Sequence, residues 1–299
     1  MTAAARRGRR LETDRMAAAR RRPGARWLLL PSGLWYLLFL VAPLVVLAVI
    51  SLGERSPNGG YAPALTLEQY ASLASRFTPF INTIGLAFAG TVMCLLAGYP
   101  LAYVLATRAG SWKTVLMALI VIPLWTSFLI RTYAWMFILG SNGVPKVLEI
   151  FGMDVQLLNT PFAVLLGIVY NYLPLMALPI YVSLERMDRS LMEASRDLGA
   201  SPFATFRQIT LPLSAPGVIS GCLLVFIPVM GEYLIPVLLG GGKTYFLGNA
   251  LADLFLQSRH WPFGAALATA FVLFMLAVVG LYAWLARRLT DQGRESSLL

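Results

Sequence analysis

The sequence predicts an all-α polytopic membrane protein with six transmembrane helices. Hydrophobic residues make up 58% of its 299 residues and charged residues only 13%, whereas charge in a soluble domain is nearer a quarter. Apolar runs near 27–52, 79–107, 114–140, 160–184, 212–239 and 262–288 each reach the roughly 20 residues a helix needs to cross a bilayer core. The basic residues fall into alternate intervals between these runs, the pattern that orients a multi-pass chain.

Residues 1–26 hold Arg6, Arg7, Arg9, Arg10, Arg15, Arg20, Arg21, Arg22 and Arg26 without apolar periodicity, which reads as a disordered basic arm. The run from Trp27 to Leu52 exceeds a signal-peptide core and no small-residue cleavage site follows it, so it reads as an uncleaved first span opening a permease domain at 27–288. The interval 53–78 carries Pro57-Asn58-Gly59-Gly60 and a helix-like stretch from Leu67 to Leu73. It and the intervals 141–159 and 240–261 either connect spans or dock a soluble partner. Pro43, Pro100, Pro123, Pro174, Pro179, Pro216, Pro228 and Pro236 fall inside spans, where each removes a backbone donor and favours a kink. Residues 289–299 read as a tail.

An even number of crossings puts both termini on one side. The arm, Arg108 and Lys113, Arg186, Arg189, Arg196 and Arg207, and Arg287, Arg288 and Arg294 hold most of the cationic charge. The other side has Arg55, Arg76, Lys146, Lys243 and Arg259. The positive-inside rule then places both termini and the Glu193 loop in the cytoplasm. The net charge of +10 is explained by topology, and no nucleic-acid partner is expected. Cys94 and Cys222 both lie in spans and His260 is the sole histidine, so neither a disulfide framework nor a metal site is expected. No Gly-x-x-x-x-Gly-Lys-Ser/Thr loop is present. The chain is therefore expected to bind no cofactor and not to be an enzyme.

The interval 185–211 is polar between two apolar runs. Leu191 to Leu198 reads as a short helix, Gly199 as the left-handed residue that ends it, and Ser201-Pro202 as the cap and first position of a second helix. Phe203, Phe206 and Ile209 give that helix an apolar face. Together they form a helix–Gly–helix element lying along the membrane surface. Glu193-Ala194-Ser195, three residues, Gly199, nine residues, then Ile209-x-Leu211-Pro212 resembles the EAA loop of ABC-importer permeases, with Ser195 where Ala is usual. The resemblance implies a type I importer permease fold, a place in a bacterial inner membrane and a separate ABC ATPase dimer as the motor. It makes Glu193 and Gly199 the leading coupling residues. Ala194, Ser195, Asp197 and Phe203 shape the same contact, and Arg196 and Arg207 serve as ion-pair partners. On their own, Asp197 and Arg207 also read as solvated loop charge, and the element as an interfacial loop without a partner.

Arg131 and Glu232 are charged residues within predicted spans, where burial costs about 2.5–3.5 kcal/mol each even on lenient scales. Two readings fit. They neutralise one another as a structural pair, or Glu232 faces a pathway and holds a cationic solute. Trp125, Tyr133, Trp135, Tyr170, Tyr172 and Tyr233 stand at the same level, as interface anchors or as aromatic faces for an ammonium group. Asp253 lies near the outer mouth.

The segments Ile122 to Tyr133, Tyr170 to Pro179, Leu191 to Ser201, Leu224 to Pro236, Leu239 to Lys243 and Trp261 to Ala265 resemble spermidine/putrescine permeases. This implies one subunit of a polyamine importer. Its partners would be a second, homologous permease subunit and a periplasmic or lipid-anchored polyamine-binding protein; a route for such a polycation wants carboxylates and aromatic faces, which makes Glu232, Tyr233, Trp125, Tyr133, Tyr172 and Asp253 the pathway candidates. A permease for another small organic solute, or an ATP-independent transporter or channel, are the alternatives. An intramembrane enzyme would need a Ser–Lys or paired-Asp constellation in the spans.

Overall fold

A computed structural model describes residues 30–73 and 77–295. The arm at 1–26, Arg76 and the last residues of the tail, 296–299, lie outside the described residues. The chain runs α1 (Leu30–Ser51), a β-hairpin, α2 (Glu68–Leu73), α3 (Thr78–Thr107), α4 (Lys113–Trp125), α5 (Phe128–Leu139), α6 (Val144–Ile150), α7 (Pro161–Glu185), α8 (Arg189–Asp197), α9 (Pro202–Met230), α10 (Leu234–Gly240), α11 (Leu247–Ala252) and α12 (Trp261–Glu295). The expectation of a helical membrane protein holds. Among the described residues, the departure from all-α is the hairpin of β1 (Glu54–Arg55) and β2 (Tyr61–Ala62), paired antiparallel. Gly59 and Gly60, at φ +81° and +90°, supply the left-handed backbone its turn needs.

Three spans differ from their expected form. The run at 114–140 is not one helix: α4 and α5 meet at a 98° bend, because Thr126 and Ser127 are extended at ψ 149° and 132°. The run at 212–239 starts earlier and breaks sooner. Its helix is continuous with the preceding loop from Pro202, stops at Met230, and resumes as α10 after Gly231–Tyr233. The last span continues as helix to Glu295, past the expected boundary at 288.

The centre is α3, α7 and α9, held close by glycines. A Cβ on Gly98 of α3 would stand 3.0 Å from Met176 of α7, and one on Gly221 of α9 would stand 2.9 Å from the same methionine's sulfur and carbonyl oxygen. Met176 is fully buried between them. Gly90 receives Ile168 in the same way. Lipid offers no hydrophobic drive for helices to associate, so close backbone approach at small residues carries the packing. Gly217 is the tightest test. A methyl there would lie 2.5 Å from Ser183 Oγ and 2.6 Å from the Pro179 carbonyl. Gly217→Ala is expected to cost about 1–3 kcal/mol, read as earlier loss of the monodisperse peak when detergent-solubilised protein is heated. Gly85→Ala, where a Cβ meets nothing within 4 Å, should melt as wild type does.

Hydrogen bonds between loops sort the helix ends into two faces. Arg55 donates to the Ser258 carbonyl, the Gly60 amide to the Arg259 carbonyl and the Leu247 amide to Thr83 Oγ1. The Asn159 amide donates to the Leu239 carbonyl. The end of α1 and the starts of α3, α7 and α12 therefore share one face. On the opposite face Lys113, at the start of α4, pairs with Glu185, at the end of α7, at 2.6 Å. The polar interval 185–211 stands there.

Candidate functional site

The interval 185–211 folds as a helix–turn–helix set by its caps. Asp188 precedes α8 and its carboxylate accepts the Ser190 amide at 2.9 Å, which holds that carboxyl below its usual range. The helix thus starts at Arg189, two residues before the expected Leu191. Gly199 adopts φ +81°. Its amide donates to the Arg196 carbonyl, and the Ala200 amide reaches the Ser195 carbonyl, closing the last turn through a left-handed glycine. Ser201 Oγ then accepts the Ala204 amide, as its place before Pro202 predicts.

Glu193, Ala194, Asp197 and Arg207 are all exposed. So are two large apolar side chains, Leu198 at 89% and Phe203 at 73%. Ser195 is the exception among the named coupling residues, being half-buried, with Oγ 3.0 Å from Thr205 Oγ1. The hydroxyl that sets this chain apart from the EAA pattern ties the two arms of the loop together.

The apolar face expected from Phe203, Phe206 and Ile209 is divided. Phe203 points outward, while Phe206 is half-buried with its ring edge-on to Tyr99 and Tyr103 of α3, both at 5.8 Å. A single π turn at Phe206–Thr210 joins the loop directly to the membrane-spanning part of α9. The second arm is thus the first turns of a span, where a separate interfacial helix was expected. Periodicity missed this because a π turn holds one more residue than an α turn.

The intramembrane charges are also placed differently from expectation. Glu232 is 8% exposed. Its Oε1 accepts the amides of Leu234 and Ile235 at 3.0 and 3.2 Å, and its Oε2 accepts the Tyr172 hydroxyl at 2.6 Å. No ion pair joins it to Arg131, whose Nε and Nη1 are buried without a hydrogen-bond partner. The reason is local. The break at Gly231–Tyr233 frees the first amides of α10, and a carboxylate beside them satisfies donors that lipid cannot. Hydropathy carries no signal for such a cap beyond the glycine–glutamate pair itself.

The remaining candidates are spread out. Trp125 ends α4 at the bend and is 84% exposed. Tyr133 and Tyr233 are exposed on α5 and at the second break. Trp135 meets Tyr170 edge-on at 5.4 Å. Asp253 accepts the Tyr245 hydroxyl at 3.1 Å. The two broken spans meet, because α10 packs on α5. On the face opposite the polar loop, a cleft of about 420 Å³ includes Glu149, Asp154 and Gln156 in its lining. The sequence reading passed over these two carboxylates and the amide beside them.

A bundle of apolar helices long enough to cross a bilayer, packed at its centre through glycines and carrying a capped polar helix–turn–helix on one face, is the architecture of a multi-pass membrane protein. The chain belongs to the family of binding-protein-dependent transport system inner membrane components, whose model matches residues 98–291. That family is one of transport components, and the protein is a multi-pass protein of the inner membrane. It is 37% identical over 254 residues to the spermidine/putrescine transport system permease protein PotB of Haemophilus influenzae, covering 83% of this chain and 89% of that one. With the PotB of Escherichia coli it shares 36% over 267 residues, covering 87% and 97%. Its fold matches that of a bacterial ABC transporter involved in import of the acidic polysaccharide alginate, with TM-score 0.69 at 18% identity over 95% of this chain and 99% of the other. A MetNI methionine ABC transporter in an inward-facing conformation matches with TM-score 0.55 at 19% identity, over 74% and 98%.

Proposed function

We propose that this chain is a permease subunit of an ATP-driven importer for linear polyamines. The observation that carries the substrate class is its 36–37% identity, over more than four-fifths of its length, to spermidine/putrescine permeases. The exposed Glu193–Phe203 surface docks a separate ATPase dimer. Leu198 and Phe203 enter that contact as apolar anchors, ringed by Glu193, Asp197 and Arg207. A second, homologous permease completes the pathway, and a periplasmic or lipid-anchored binding protein delivers solute to the opposite face. The polar-loop face is cytoplasmic, as the cationic residues around it favour.

The pathway runs beside the paired breaks of the third and fifth spans. Irregular backbone at membrane depth is tolerated where it is buried in protein or lines a watered cavity. Trp125, Tyr133 and Tyr233 present rings there, and Tyr172 and Glu232 form the polar contact between them. A polycation arriving from outside meets Glu149 and Asp154 first, then Asp253. Uptake of labelled putrescine and spermidine, in cells carrying the full transport system with and without this chain, tests the reading. Loss of both on deletion and recovery on complementation is the expected result. Unchanged uptake of either polyamine on deletion excludes this chain as its route.

A further inference from the structure

We infer that Phe206 is a positioning residue that transmits movement of the cytoplasmic loop to the second span, α3, by direct contact, alongside the covalent continuity with α9. The inference rests on the reading of the loop as an ATPase-docking element. Its geometry is independent of which ATPase docks.

Four contacts form one line. Ser195 Oγ meets Thr205 Oγ1 at 3.0 Å, so the two arms of the loop move together. Thr205, 4% exposed, immediately precedes the π turn. Phe206 opens that turn with its ring packed edge-to-face with those of Tyr99 and Tyr103, at interplanar angles of 89° and 85°. Tyr99 and Tyr103 are four residues apart and so lie on one face of α3. Ser214 Oγ donates to the Leu211 carbonyl at 3.0 Å, which uses its one proton, so the Tyr99 hydroxyl donates to Ser214 at 2.9 Å. The Phe206 ring is therefore held between two tyrosines, one of which is tied back to α9 beyond the π turn.

The place where this contact falls matters. Pro100 sits between Tyr99 and Tyr103 inside α3, where a missing backbone donor weakens the helix. Two residues earlier, Gly98 is the close-approach point against Met176. A push at Tyr99 and Tyr103 thus arrives at the softest turn of the span, next to the pivot where it meets α7. The π turn at Phe206–Thr210 interrupts the α ladder on the other side, a feature that recurs at functional positions in helices. Packed side chains with discrete arrangements are the physical means by which such displacement travels.

The test uses the full chain in its transport complex, purified through a tag on this chain and also assayed for uptake in cells. Phe206→Ala is expected to reach the membrane and co-purify the ATPase at wild-type ratio. Its uptake should fall by about tenfold while ATP hydrolysis persists, the scale expected when two aromatic contacts are lost from one state of the cycle. Tyr103→Ala attacks the same contact from α3 and should show the same split. The double variant should be no worse than Phe206→Ala, since the contact that Tyr103→Ala removes is already lost there. Phe206→Tyr, which keeps the ring, should restore uptake. Should Phe206→Ala fail to accumulate, Tyr103→Ala and Phe206→Tyr still decide the matter. Uptake within about twofold of wild type in Tyr103→Ala, an additive double variant, or parallel loss of ATPase co-purification and uptake would each overturn the inference. The coupling reading itself fails separately, and takes the inference with it, if wild-type chain co-purifies no ATPase.

Discussion

Gly199→Val is expected to cut coupled transport by about tenfold or more while leaving the protein in the membrane. Gly199 holds φ +81°, and a Cβ built there meets nothing within 4 Å, so the obstacle is the backbone alone. An L residue in the left-handed region costs about 1–2 kcal/mol, and a β-branched one is worse placed still. The penalty falls on the turn that orients α8 against the start of α9. Its relief is to move Glu193 and Leu198 away from Phe203, which dismantles the exposed surface without disturbing the bundle. Uptake should drop by about tenfold or more, the factor that 1–2 kcal/mol brings, with membrane content unchanged by immunoblot. Gly199→Asn is the control that separates bulk from backbone, because Asn tolerates the left-handed region and should keep most of the activity. A valine variant that imports as well as wild type would show that the loop's shape is not what couples it.

Glu232→Leu carries the second large effect, and it appears as lost protein. The substitution strands the amides of Leu234 and Ile235 and the Tyr172 hydroxyl, all now accepted by one carboxylate. Each buried unsatisfied group costs about 1–3 kcal/mol, and within a bilayer no water repairs it. Steady-state membrane content should fall severalfold. Glu232→Gln keeps an oxygen for the two amides, and its NH2 reverses the contact with Tyr172 so that the hydroxyl accepts, so it should accumulate normally. If the carboxylate also meets the solute, this variant will show a raised apparent KM for polyamine at unchanged abundance. A wild-type KM would confine Glu232 to holding the broken span together.

The hydropathy of the chain was enough to place the spans, because crossing a bilayer demands long apolar runs whatever their neighbours. It was not enough to show where those runs break. The bend at Thr126–Ser127 lies inside a continuous apolar stretch whose only local cue is Pro123, and hydropathy has no direction. The helix–Gly–helix element was legible because caps are local chemistry: Ser201 before Pro202, and Gly199 where a helix must end. What the loop does with its aromatic rings was not legible. Phe203 and Phe206 are three apart and share a face of an ideal helix, yet one faces outward and the other packs on α3. Likewise one of the two readings of Glu232 paired it with Arg131 at long range, whereas the carboxylate accepts amides two and three residues away. The value of Ser195 could be read only once Thr205 was beside it in space.

The π turn at Phe206–Thr210 gives a different meaning to the interval between Gly199 and the Ile209-x-Leu211-Pro212 segment. One additional residue in a helix rotates everything beyond it by about 100°, the angle subtended per residue in an α-helix. The nine residues of that interval therefore set a phase as well as a distance: they determine which compass direction the exposed surface of the loop faces relative to the bundle. Shortening the interval by a single residue, with each contacting side chain retained, would leave the loop intact and aimed elsewhere.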